Sequence, residues 1–122
     1  MIYKQEAYDI IGAAMEVYRD KGHGFAEPVY QECMEIELSH CGVPFHAQQE
    51  FSLSYRGQPL KHAYIPDLIC HEQIVVELKA VKDLADEHRA QVLNYLKATG
   101  CRLGLLINFG HNPGLQWERL IL

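Results

Sequence analysis

The run Ile74-Val75-Val76 constrains this chain more than any other feature. Three consecutive β-branched residues lose rotamer freedom in a helix and pack well on a pleated sheet. An unbroken apolar run, where a half-exposed strand would alternate, is what a strand buried on both faces needs. It leads straight into Glu77-Leu78-Lys79. A central strand over residues 73–79 with a charged end is therefore predicted. Such a strand needs helices over both faces.

The flanking sequence supplies them. Ala7, Tyr8, Ile11, Ala14, Met15 and Tyr18 recur at helical spacing and predict one apolar stripe, ended by Lys21-Gly22-His23-Gly24. A second helix is expected from Glu27-Pro28, because proline suits the first helical turn. Val29, Cys33 and Ile36 would form its buried face and Gly42 its end. A third helix is expected over Asp86–Thr99, with Asp86 as N-cap, Gly100 just past the end, and Ala90, Leu93 and Leu96 toward the sheet. Pro44–Tyr55 and Leu60–Cys70 read as strands on either side of the turn cluster Arg56-Gly57-Gln58-Pro59. Arg102–Phe109 reads as a buried strand and Trp117–Leu122 as an edge strand. The order α-α-β-β-β-α-β-(β) predicts a mixed α/β fold. A length of 122 residues suits a single domain over 1–122.

Charge and composition narrow the partners. Eleven Lys+Arg against sixteen Asp+Glu give a net charge of −5, which argues against tight, metal-free binding to long DNA. A nucleic-acid enzyme whose metal supplies positive charge is still compatible with it. No apolar run reaches the roughly 20 residues of a membrane span. The opening MIYKQEAYDI lacks the apolar core of a secretion signal. Cys33, Cys41, Cys70 and Cys101 form no C-x2-C pair, so free, buried thiols in a reducing cytoplasm are expected. His40, His46, His71 and His111 read as surface or loop residues.

The chemistry concentrates between residues 64 and 80. Strand parity puts Glu77 and Lys79 on one face and Leu78 on the other. If the hairpin pairs Cys70 with Ile74, Asp67 stands opposite Glu77, with Cβ atoms about 5 Å apart. Opposed acids repel, so stability alone would not select them. A divalent cation between them removes the conflict, and carboxylates with waters are what Mg²⁺ or Mn²⁺ prefers. Lys79 can then stabilise charge on a phosphate or orient a water. The plainer alternative is a solvent-facing Glu-x-Lys pair with Asp67 capping a turn. Opposition across the hairpin and the buried flanks favour the site. On the third helix His88, Gln91 and Tyr95 share a polar face, suited either to contacts with phosphate and water or simply to solvent.

Pro66-Asp67, nine residues and then Glu77-Leu78-Lys79 resemble the PD-(D/E)XK signature of the restriction-endonuclease-like nuclease superfamily. Gln91-x3-Tyr95 resembles the QxxxY motif of its RecB-like and lambda-exonuclease-like branch. Gly24-Phe-Ala-Glu27-Pro-Val-Tyr30 resembles the motif that names the GxxExxY protein family, as does the strand Leu103–Phe109. The resemblance implies a restriction-endonuclease-like αβββαβ core, a central mixed sheet flanked by helices, with an extra N-terminal helix. It also implies a metal-dependent phosphodiesterase acting on nucleic acid, DNA ahead of RNA. Asp67 and Glu77 then correspond to metal-binding acids, Lys79 to the catalytic lysine, and Glu27 to an additional acid on an N-terminal helix. Gln91 and Tyr95 complete the implied site. Glu27 also reads as a capping carboxylate at a helix start. Tyr64-Ile65-Pro66 departs from relatives that carry an arginine-containing segment there. A binding module that kept the fold and lost turnover is the alternative function. The small surface suggests a homodimer or protein partner, and no membrane is implied.

Overall fold

The structure, a computed structural model, describes residues 1–122. Its elements are α1 (Lys4–Lys21), α2 (Glu27–His40), β1 (Phe45–Ala47), β2 (Phe51–Tyr55), β3 (Gln58–Tyr64), β4 (Leu68–Cys70), β5 (Ile74–Lys79), α3 (Asp86–Thr99), β6 (Leu103–Asn108) and β7 (Gln116–Ile121). Five strands form one sheet in the order β1-β4-β5-β6-β7, and β2 and β3 form a separate two-stranded ribbon. Only β5 and β6 run parallel, and α3 is the crossover that a parallel pair requires. This is a mixed α/β sheet flanked by helices, with an additional N-terminal helix, consistent with a restriction-endonuclease-like fold.

The sheet separates two apolar layers. Ile74, Val76 and Leu78 of β5 join Leu103, Leu105 and Ile107 of β6 in packing against α1 and α2. Val75 and Leu106 point the other way, onto Val92 and Leu96 of α3. β5 is buried from Ile74 through Leu78, as its β-branched run requires. Phe109, just past β6, is fully buried and stacks on Tyr30 of α2, with centroids 4.5 Å apart and planes at 10°.

The helices sit where expected, but two are rotated about their axes relative to the sequence reading. On α1 the buried residues are Ala7, Ile10, Ile11, Ala13, Ala14 and Val17, while Tyr8 and Met15 are exposed. On α2 Tyr30, Met34 and Leu38 are buried in place of Val29, Cys33 and Ile36. Both helices carry two overlapping apolar stripes, and contact with the sheet selects between them. On α3 Val92 and Leu96 are buried whereas Ala90 is exposed. Ala85, not Asp86, is the N-cap, and the ring Nδ1 of His88 accepts the Ala85 N–H at 2.9 Å. His88 thus serves the helix end.

The two long strands expected before β5 are each broken in the middle. Gln48 takes a left-handed φ of 55°, and Pro66 brings no N–H to a sheet ladder. The breaks lie side by side, with the Gln48 N–H donating to the Asp67 carbonyl at 3.2 Å. Between them residues 51–64 peel away as the β2–β3 ribbon, leaving β1 and β4 in the main sheet. Cys70 and Cys101 are buried as expected, but Cys41 is exposed and all four thiols are free. His40 and His46 are exposed, whereas the His71 Nε2 is buried without a hydrogen-bond partner.

Candidate active site

Cys70 pairs with Ile74 and Leu68 with Val76, so the hairpin register carries Asp67 to a position across from Glu77. The two acids are cross-braced through the backbone. Asp67 donates its N–H to Glu77 Oε1 at 2.9 Å, and Leu78 donates its N–H to Asp67 Oδ2 at 2.8 Å. Each carboxylate is thus fixed by the other's strand. Gln31 of α2 adds a third tie, donating its amide to the Asp67 carbonyl at 3.0 Å.

Burial sets the electrostatics. Glu77 is 3 % exposed. Loss of solvent, reinforced by the neighbouring Asp67 charge, pushes its carboxyl up to about 8, and Lys79 only partly opposes this. Burial also raises the Asp67 carboxyl above the usual range, against the Leu78 N–H and the Lys79 ammonium. One nearby ammonium faces two crowded carboxylates.

Lys79 is itself aimed by α3. Its ammonium donates to Gln91 Oε1 at 2.9 Å, and the Gln91 amide donates to the Tyr95 hydroxyl at 3.2 Å. Helical i, i+4 spacing lets one relay hold both side chains. The Tyr95 ring stacks on Tyr64 at 5.5 Å, and burial, with the Glu77 charge, raises its phenol. Asp67, Glu77, Lys79, Gln91 and Tyr95 therefore form one continuous cluster.

Glu27 stands apart from it. It is exposed at the start of α2 and borders a cavity of about 430 Å³ that Asp67, Gln31, Glu32 and Glu35 also line. No three His, Cys, Asp or Glu side chains converge at metal-holding range. The paired acids nonetheless suit a hard divalent ion, because magnesium keeps several waters and needs only one or two carboxylates. Their mutual repulsion is the kind of conflict that a cation relieves. Sequence reasoning missed Gln31, although it lies one turn beyond Glu27 on the same helix.

A family model for the PD-(D/E)XK nuclease superfamily matches residues 4–120. The chain belongs to the PD-(D/E)XK nuclease superfamily. The match runs from the start of α1 into β7. Among solved structures the chain is similar to "Crystal structure of SSO0001", with a TM-score of 0.62 and 16 % identity, over 78 % of this chain and 50 % of that one. At that identity the likeness concerns the fold, and the chain spans about half the length of that structure. A search of the curated proteins finds no match. No helix is long and apolar enough to cross a membrane.

Proposed function

We propose that this superfamily member is a divalent-metal-dependent nuclease, of the GxxExxY kind, that hydrolyses phosphodiester bonds, DNA ahead of RNA. The observation that carries the reading is the cross-braced Asp67–Glu77 pair beside Lys79. Asp67 and Glu77 would hold Mg²⁺ or Mn²⁺, with Glu27 as a candidate third acid from across the cavity. Bound there, the ion supplies positive charge to the scissile phosphate and lowers the pKa of water.

The chain's own groups do the rest. Lys79 presents an ammonium to a non-bridging phosphate oxygen as charge builds there. Gln91 keeps that ammonium on the acid side of α3. Its amide and carbonyl both suit contacts to water or phosphate. Tyr95 fixes Gln91 and offers a phenolic edge to the substrate. A reducing cytoplasm as the setting belongs to the same reading, and a homodimer or protein partner would enlarge the small gripping surface.

A second reading, a nucleic-acid or protein binding module without turnover, draws on one observation. Both site carboxylates already accept backbone N–H groups, and no third acid joins them. Calorimetric titration with Mn²⁺, followed by incubation with labelled DNA and RNA, decides between them. Metal binding and cleavage by the parent, both absent in Asp67→Ala, support the nuclease. Intact nucleic acid after incubation with the Mn²⁺-loaded parent favours the binding module.

A further inference from the structure

Resting on the nuclease reading for its ligand class, we propose that the β2–β3 ribbon is a duplex-binding arm that enters the DNA major groove. The ribbon holds two of the chain's eleven Lys+Arg, Arg56 and Lys61, together with His62. None of the sixteen Asp+Glu falls within residues 51–66. In a chain of net charge −5 this is a cationic projection from an acidic body. Residues 54–63 are all exposed, and neither Arg56 nor Lys61 takes part in an ion pair. The complementary partner is a polyanion.

Shape selects the kind of polyanion. A lone two-stranded ribbon is marginal in water unless something anchors it. Here the anchor is at the base, where Phe51 stacks on Tyr64 at 5.1 Å and Tyr64 on Tyr95 at 5.5 Å. The tip is left with solvent on both faces. Strands about 4.8 Å apart make a ribbon that a groove about 12 Å wide admits. The base leads through Ile65-Pro66 into Asp67, and Tyr95 holds the Gln91 that positions Lys79. The base of the ribbon at Tyr64 thus lies three residues before Asp67, with Lys61 six and Arg56 eleven residues before it.

The turn itself argues for a binding role. Arg56 and Gly57 have φ values of 50° and 77°, so both central residues of the two-residue turn are left-handed. Such turns favour Asn-Gly or Asp-Gly. Arginine at the first position sits against that preference, and the gain is a cation at the tip.

The test measures fluorescence anisotropy of a labelled duplex, and of its single strand, against the full chain in EDTA over a salt series. The variants are Lys61→Gln and the double variant Arg56→Asn with Lys61→Gln. The double variant is expected to melt at or above the parent temperature yet bind the duplex about tenfold more weakly at 0.1 M salt. Its salt slope should fall by about 1.8, and that of Lys61→Gln by about 0.9. Parental affinity and slope in the double variant overturn the inference, as does a parent that prefers the single strand tenfold. A parent that binds through the ribbon but never cuts with Mn²⁺ sinks the nuclease reading and leaves the arm standing. A parent that binds no duplex in EDTA overturns the arm and leaves the nuclease reading to the Mn²⁺ cleavage assay.

Discussion

Replacing Glu77 by glutamine is expected to make the metal-free protein more stable at neutral pH, although Glu77 belongs to the site. The substitution keeps the carbonyl oxygen that accepts the Asp67 N–H and supplies a permanent amide donor where the parent must take up a proton to avoid facing Asp67 with a like charge. The magnitude follows from the carboxyl's displacement from its ordinary 4.5 to about 8. A group whose folded pKa is raised favours folding in its protonated form. Its contribution is therefore fully present below about 4.5 and is lost as the pH climbs through about 8. At pH 7 the full displacement corresponds to about 3 kcal/mol as an upper limit, and sharing of the proton with Asp67 reduces this to about 1–2 kcal/mol.

For a chain of this size that is a rise of roughly 3–8 °C in melting temperature. The assay is thermal melting of parent and variant in EDTA between pH 5 and pH 8. Their difference should shrink steadily on acidification, since folded Glu77 already holds its proton below about 8 and the glutamate of the unfolded chain comes to hold one as the pH falls toward 4.5. Adding Mn²⁺ should raise the parent's melting temperature and leave the variant's unchanged. A variant that melts below the parent at pH 7.5, or a gap that does not vary with pH, would falsify the charge-conflict account of this pair.

Lys79→Ala is expected to bind Mn²⁺ with parental affinity in calorimetry while losing at least about a hundredfold in cleavage rate, because the ammonium serves the phosphate and not the ion. Gln91→Ala should lower turnover with little change in melting temperature, whereas Tyr95→Phe, which keeps the stack on Tyr64 and drops only the hydroxyl, should lower turnover less; steady-state rates beside melting curves check both. Asn108→Ala removes three bonds, from the Val81 and Gly110 N–H groups and to Gln116, and should cost about 2–4 kcal/mol in denaturant unfolding.

Element order was legible from sequence because it depends on local chemistry. Ile74-Val75-Val76 declared the central strand, Gly22 and Gly100 ended helices in left-handed geometry, and α3 begins and ends at the expected residues. Helix phase was less legible. Val29-Cys33 and Tyr30-Met34 are both apolar pairs at i, i+4, and what separates them is Tyr30 stacking on Phe109, 79 positions later in the chain. The strand break at Gln48 was hidden for a related reason, whereas Pro66 marked the other break openly. Gln48 carries no conformational signature, and its left-handed backbone is held in place by the Asp67 carbonyl across the sheet.

The site repeats the contrast. The opposition of Asp67 and Glu77 followed from counting back from a turn, because a hairpin's register is fixed once its turn is placed. Gln31 had no such handle, since its contact with Asp67 depends on how α2 lies over the sheet. The same long-range packing explains how a repelling pair survives folding. Asp67 is gripped through its carbonyl by Gln31 and Gln48 and through its carboxylate by the Leu78 N–H, while its own N–H is spent on Glu77. The backbone, over-determined from α2, from Gln48 just past β1 and from β5, holds the two acids together against their mutual repulsion. The conflict is thereby concentrated at one point beside a single lysine, where added positive charge gains most by arriving.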